Sequence, residues 1–359
     1  MEIWPATLFP QNDELLSSWL TRIAHNHYQK IYTFYKSVEP VKNARIWSRD
    51  IDSTIDEVFL SKLSEHTGIT IGRILKTTLK SYEESLFLKK IPNGNTKWIL
   101  GLGIKNSKIE RYGLMYCPGC LRKDKKHPYY RKKWRLSISV CCPDCGCYLK
   151  EKCSKCKSPI WFTRSELGKK ELMPDKSFTH CYNCGYDLKK SRGSKAEPTI
   201  IKYQQLINTY IDQGYTESHN YSHLYFNGLY QILRILNSER EEPLRLKDDI
   251  SKMLGIQYHY RKKYVYELFE QKRIKERIQL LRIAFFLLEN WPINFITICS
   301  RNRIWIETLF MVNNNEDELP FWYWEIVTLH LNKRIARHDF KKELERWRQK
   351  NKRNSQQLE

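Results

Sequence analysis

Cys117-Pro118-Gly119-Cys120, Cys142-Pro143-Asp144-Cys145, Cys153-Ser154-Lys155-Cys156 and Cys181-Tyr182-Asn183-Cys184 repeat one spacing, and together they hold eight of the chain's eleven cysteines. A gap of two residues lets both thiols of a pair reach one tetrahedral ion from a single tight turn, so two pairs close one zinc site. Four pairs in order predict two structural zinc ions. Joining neighbours gives Cys-x2-Cys-x21-Cys-x2-Cys for Cys117, Cys120, Cys142 and Cys145, and Cys-x2-Cys-x24-Cys-x2-Cys for Cys153, Cys156, Cys181 and Cys184. Each loop then closes locally. An interleaved, RING-like arrangement, first pair with third and second with fourth, fits the same spacing. With cysteine at all eight positions, neither site keeps a place for water or substrate, which argues against zinc-dependent catalysis. Cys141 and Cys147 flank the second pair and His180 precedes the fourth, so each is an alternative ligand. Cys299 reads as a small buried hydrophobe in a helical region.

Working outward, the formal charge of +22 is uneven along the 359 residues. Residues 108–192 carry 21 Lys and Arg against 8 Asp and Glu, a net of +13. A positive field concentrated on a cysteine-rich module points to a polyanionic partner, nucleic acid first. Within that module, Pro128-Tyr129-Tyr130-Arg131-Lys132-Lys133-Trp134-Arg135-Leu136 interleaves aromatics with cations. Arg131, Lys132, Lys133 and Arg135 are candidate phosphate donors. Trp134 reads as core, and Tyr129 and Tyr130 remain open between core and contact.

The predicted fold is mainly α with small zinc-ribbon modules. Residues 1–107 form an N-terminal helical domain, 108–190 the tandem zinc module, 191–199 a polar linker, and 200–359 a C-terminal helical domain. In the first, Asn12 or Asp13 is placed to cap a helix whose apolar face includes Leu16, Trp19, Leu20 and Ile23. Val58-Phe59-Leu60, Leu63, a turn at Gly68, and Ile69 with Ile74 outline a helix-turn-helix. Its second helix, about residues 70–80, is either a DNA reader or half of an ordinary αα-hairpin. Residues 246–255 outline a second such unit, followed by Arg261-Lys262-Lys263 as further nucleic-acid contacts. Leu229, Ile232, Leu233 and Leu236, and then Ile274, Ile278, Leu281, Phe285 and Leu288, are stripes of helix packing.

Enzyme signatures are missing. There is no GxxxxGK[ST] phosphate loop and no HExxH. Gly101-Leu102-Gly103 lacks the third glycine of a dinucleotide fingerprint, and no carboxylate triad is apparent. The expectation is a non-enzyme. The opening MEIWPATLFP has neither the basic start nor the apolar stretch of a secretory leader. Paired cysteines in such a chain suggest metal in a reducing compartment. The apolar run from Ile283 to Leu288 is too short for a bilayer, so a soluble, cytoplasmic protein without a membrane partner is expected.

Pro10-x-x-Asp13-Glu14-Leu15-Leu16-Ser17-Ser18-Trp19-Leu20-x-Arg22-Ile23-Ala24 resembles the N-terminal signature of the TniQ/TnsD family of transposon target-site selectors. Gly113-Leu114-x-Tyr116-Cys117-Pro118-x-Cys120-Leu121, followed by residues 128–136 and the cysteine pairs, resembles that family's zinc region. Asn290-Trp291-Pro292-x-x-Phe295 resembles its C-terminal half. One departure is Cys145, which stands where the family commonly offers histidine, a change of ligand type that zinc tolerates. The resemblance implies a protein without catalysis that marks an insertion site and recruits an AAA+ ATPase regulator (TnsC-like), which in turn brings the transposase. It implies two routes to the target: docking on a CRISPR RNA-guided effector, or binding a fixed attachment site in double-stranded DNA. It also makes a homodimer of paired adaptors plausible.

Overall fold

The computed structural model describes residues 3–38, 50–54, 57–91, 95–105, 108–109, 111–172, 174–256, 267–311 and 319–332. It is mainly helical: α1 (Leu16–Asn26), α2 (Ile31–Val38), α3 (Glu57–Thr67), α4 (Ile71–Leu75), α5 (Pro118–Lys123), α6 (Pro174–Ser177), α7 (Pro198–Gln213), α8 (Ser222–Asn237), α9 (Glu241–Met253), α10 (Ile274–Leu288), α11 (Ile293–Arg301), α12 (Ile306–Met311) and α13 (Phe321–His330). Strands β1 (Ile104–Lys105) and β2 (Lys108–Ile109) pair antiparallel, as do β3 (Cys141–Cys142) and β4 (Cys147–Tyr148). Two compact units result. The first is Met1–Ser222 with Glu267–Arg277, and the second is His223–Tyr266 with Ile278–Glu359. The N-terminal helices and the cysteine-rich module are thus one unit, where the sequence suggested two domains.

The core of the first unit begins with α1, whose Leu16, Trp19, Leu20 and Ile23 are buried at the spacing expected of an amphipathic helix. They pack with Phe34 of α2, Leu63 of α3, and Ile69 and Ile74 around the α3–α4 turn. Gly68 makes that turn at φ +69°, a left-handed conformation that glycine adopts freely.

Three local expectations are corrected. Neither Asn12 nor Asp13 caps α1: Leu15 occupies the cap position without a side-chain bond, and Asp13 lies at φ +57°. The orphan amides of α1 are met from afar. Leu16 N donates to Thr77 O at 2.9 Å, and Ser17 N and Oγ donate to the Asp52 carboxylate at 2.8 Å each. A carboxylate there satisfies a donor and sits favourably on the positive end of the helix.

The second helix of the N-terminal outline is also short, five residues at α4 followed by a 3-10 turn over Leu79–Tyr82. The hydroxyls of Thr77 and Thr78 donate to Ile74 O and Leu75 O, competing with helix propagation. The Thr77 carbonyl is already committed to α1.

Residues 191–199, read as a linker, are mostly exposed but are anchored at two buried points and by backbone pairing. Ser191 and Ala196 are buried, Tyr148 N donates to Ser194 O, and Ala196 N donates to Gly146 O. Polar composition says nothing about backbone pairing, and here the pairing decides.

In the second unit, Leu229, Ile232, Leu233 and Leu236 of α8 are buried, as their spacing requires. The aromatics Trp291, Phe295, Trp322 and Tyr323 cluster with ring centroids 4.8–6.5 Å apart. Trp322 is held by a 3.1 Å bond from Nε1 to Leu224 O and by stacking on Tyr225. Gly228 lies beneath it, and a Cβ there would come within 2.6 Å of the ring's Cη2. Gly228→Ala would gain up to about 1 kcal/mol of helix propensity. Overpacking a fixed ring costs about 1–3 kcal/mol. The substitution is therefore expected to destabilise, read as a lower denaturation midpoint for this unit; an unchanged or higher midpoint would show that Trp322 moves freely. Among the described residues, no single helix is long and apolar enough to cross a membrane.

Candidate functional site: two four-sulfur centres and the clamp beside them

The α5 turn begins at Cys117, whose sulfur accepts from Cys120 N at 3.4 Å and so caps the helix with a metal-binding atom. Across from it, β3 and β4 close around a 3-10 turn at Pro143–Cys145 and a left-handed Gly146. These two turns bring Cys117, Cys120, Cys142 and Cys145 together, with every sulfur within 4.8 Å of the others. Cys153, Cys156, Cys181 and Cys184 form a second group by the same measure. Sulfur separations of 3.5 Å (Cys120–Cys142), 3.8 Å (Cys120–Cys145), 3.7 Å (Cys153–Cys184) and 3.6 Å (Cys156–Cys181) are far from a disulfide bond. They match the edge of a tetrahedron of about 3.8 Å that follows from metal–sulfur bonds of about 2.3 Å. The donor set and spacing fit a structural ion in each group, first pair with second and third with fourth.

At the second centre, Ser158 and Asn183 supply polar support. Burial pushes the Cys156 thiol up, but hydrogen bonds with the Ser158 side chain and backbone and with Asn183 outweigh it and bring the thiol down to about 6. An easily ionised thiol is a ready ligand. Of the alternative ligands, Cys141 points away, its sulfur 3.9 Å from Ile200 O, and burial pushes that thiol up to about 12. The His180 ring is 2.9 Å from Thr179 Oγ1 and belongs to neither group. Cys299 is fully buried, a small core residue. Cys147 is different: its sulfur lies 3.6 Å from that of Cys117.

The stretch 128–136 does not lie along an open surface. Arg135 is completely buried, with bonds to Asp50 at 3.0 and 2.5 Å, to Asp52 at 3.4 Å and to Leu100 O at 2.9 Å. Arg131 grips Asp124 with two bonds of 2.6 and 2.7 Å while its guanidinium lies 3.9 Å from the centre of the Tyr129 ring. Lys132 is buried, donates to Ser81 Oγ at 2.8 Å, and is lowered in pKa by that burial. Lys133 pairs with Asp212 at 2.8 Å. Of the four candidate phosphate donors, Lys132 and Arg135 are thus buried, while Arg131 and Lys133 are half-buried and each is paired with an aspartate. Trp134 and Tyr130 are core, and Tyr130 stacks on Phe162 at 4.5 Å. Arg261, Lys262 and Lys263 lie outside the described residues.

The function of this stretch is to clamp α1. Leu15 N donates to Tyr130 O at 2.9 Å, Tyr130 N to Ser18 Oγ at 3.0 Å, and Lys132 N to Asp13 O at 2.7 Å. Glu14, itself buried, accepts from Ser18 Oγ at 2.9 Å, Gln11 N at 2.8 Å and Arg22 at 2.6 Å. Burial pushes Asp13 and Glu14 above their ordinary pKa values, against the pull of Lys132 and Lys133 on one and Arg22 on the other. Burial likewise raises Asp52 to about 6, opposed by Arg135. The polar residues of 10–24 and the cations of 128–136 are two halves of one buried network, separated by more than a hundred residues of sequence.

Sequence reasoning also missed a set of cations that do face solvent. Arg122, Lys123, Lys125, Lys126, Arg192 and Lys195 are exposed. None has a carboxylate partner among the described residues. Arg122 reaches Lys189 O and Lys123 reaches Asp144 O, so several of them gather around the first centre. Their uneven spacing along the chain gave no signal.

Residues 5–149 match the family model TniQ. A search of curated proteins finds no match to the chain. The matched span contains both halves of the clamp and the whole first centre, and it ends before the second. The chain thus carries a TniQ domain at residues 5–149.

Proposed function

We propose that this protein is a target-site selector in DNA transposition that holds two structural zinc ions, performs no catalysis itself, and recruits an AAA+ ATPase regulator and through it the transposase. The TniQ domain carries this reading. The metal identity is supported by two all-cysteine sets of tetrahedral size, since tetrahedral thiolate sets favour zinc over harder ions. At the first centre these residues would hold α5 and the β3–β4 turn around the ion, and each ion would supply cross-linking rather than a reactive centre.

Of the two routes to a target, docking on an RNA-guided effector or on the ATPase is the better supported. The stretch most suited to phosphate is turned inward, and α4 has only five residues with which to read a groove. The second reading is direct binding of duplex DNA at a fixed site, favoured by the exposed cations around the first centre. A homodimer is compatible with either. Footprinting the purified, metal-loaded protein on host genomic fragments at physiological salt separates the two routes. No discrete protection, together with co-purification of the ATPase, is the expected result. One protected site would establish direct sequence reading. Loss of neither targeting nor ATPase association on deleting the gene would overturn the whole reading.

A further inference from the structure

At the first centre a fifth thiol, Cys147, stands beside the four sulfurs that lie mutually within 4.8 Å, where a tetrahedral ion has four positions. Cys147 Sγ is 3.6 Å from Cys117 Sγ, as close as the sulfurs within the two groups of four. The β3–β4 register places Cys147 directly opposite Cys142, a cross-strand pair whose side chains share one face of the hairpin. Cys142 belongs to the group of four, so Cys147 is placed beside that group on the same face. Exposure divides the five. Cys117, Cys120 and Cys142 are buried, whereas Cys145 and Cys147 are half-buried and flank the left-handed Gly146.

Two further glycines make room for this pair. A Cβ on Gly119 would stand 2.7 Å from Cys145 Sγ, and one on Gly193 would stand 3.2 Å from Cys147 Cβ. The backbone of α5 thus approaches one thiol closely and the backbone of 191–196 the other. Nothing comparable occurs at the second centre, where the described residues supply four sulfurs and no fifth.

We propose that the first centre is a five-thiolate site in which Cys145 and Cys147 compete for one coordination position beside a fixed trio of Cys117, Cys120 and Cys142. The ion is a soft divalent cation such as zinc. Exchange across the Cys145-Gly146-Cys147 turn leaves one half-exposed thiolate unbound at any moment without releasing the metal. The centre is therefore reactive toward thiol reagents while it stays loaded, and the second centre is not. This inference rests on the metal reading above.

The test is native mass spectrometry of the full-length, zinc-loaded chain. Cys145→Ala and Cys147→Ala are each expected to keep two zinc ions per chain, and the double variant to keep one. Cys184→Ala, at the four-thiolate centre, serves as reference and is expected to keep one. Loss of an ion from either single variant overturns the proposal, because that residue would then be the fixed fourth ligand. N-ethylmaleimide on the unmutated protein removes dependence on whether a variant folds. One adduct on Cys145 or Cys147 with both ions retained is expected, and its absence overturns the proposal. A wild-type chain that binds no zinc would instead sink the metal reading, so the two failures are distinguishable.

Discussion

Stripping metal with excess chelator is expected to unfold the first unit as a whole, not the cysteine-rich segment alone. Structural zinc contributes about 10–16 kcal/mol of binding free energy in small zinc domains, comparable to the roughly 5–15 kcal/mol that holds a typical domain folded. Besides its cysteines α5 buries only Pro118 and Leu121, so closure of this turn onto the β3–β4 turn leans on the metal. What they hold in place is the stretch 128–136, and that stretch supplies Tyr130 O and Arg135 to the N-terminal helices. Helical signal from α1 to α4 is accordingly expected to fall in step with zinc release, followed by circular dichroism against a zinc-sensitive dye. Cys120→Ala should reproduce the effect at the first centre. A melting curve unchanged in excess chelator would falsify the idea that metal organises this unit.

Arg135→Ala is expected to be the most damaging single substitution away from the cysteines. Removing one partner of a buried ion pair costs about 3–5 kcal/mol, because the carboxylates left behind have lost their counter-charge while still out of water. Asp50 and Asp52 are left so, and Asp52 must also go on accepting from Ser17 at the start of α1. Equilibrium urea denaturation reads this as a large drop in midpoint at nearly constant slope. Arg131→Ala with Lys132→Ala draws on the same network and should also lower the midpoint. If these cations contacted phosphate instead, each lost contact would flatten the log–log salt dependence of duplex binding by roughly 0.9. The structure predicts a changed midpoint and an unchanged salt slope. The reverse would restore the reading that the sequence alone suggested.

That reversal shows which features were legible. The two cysteine sets could be read directly, since tetrahedral chemistry fixes the spacing within each pair and proximity joins neighbouring pairs. The apolar stripes of α1 and α8 were legible for the same reason: helical periodicity is local. The clamp was not. Asp13, Glu14, Ser17 and Ser18 look like a helix start, and Arg131 to Arg135 look like a basic surface. No spacing rule says that the first set lies against the second or against Asp52. A cation's exposure depends on whether a distant carboxylate neutralises it, and that is a property of the fold. The shortness of α4 was hidden similarly, since Thr77 is a tolerable helix residue until its carbonyl is needed by Leu16. Cys147 was noticed only as a neighbour of the second pair; the strand register that places it beside the group of four lies beyond pattern.

The distant capping of α1 bears on the order in which the chain can be made. Leu15, Leu16 and Ser17 find their acceptors at Tyr130, Thr77 and Asp52, and Asp52 is neutralised by Arg135. A ribosome adding about 5–20 residues per second needs on the order of ten seconds to pass from the first of these positions to the last. Within that interval the core partners of Trp19, Leu20 and Ile23, as far as Ile74, are made before the Tyr130 acceptor and the Arg135 counter-charge that complete the start of α1. Truncations that stop short of residue 136 leave that start incomplete permanently, so the smallest folded fragment of this protein is set by its cysteine region and not by its N-terminal helices.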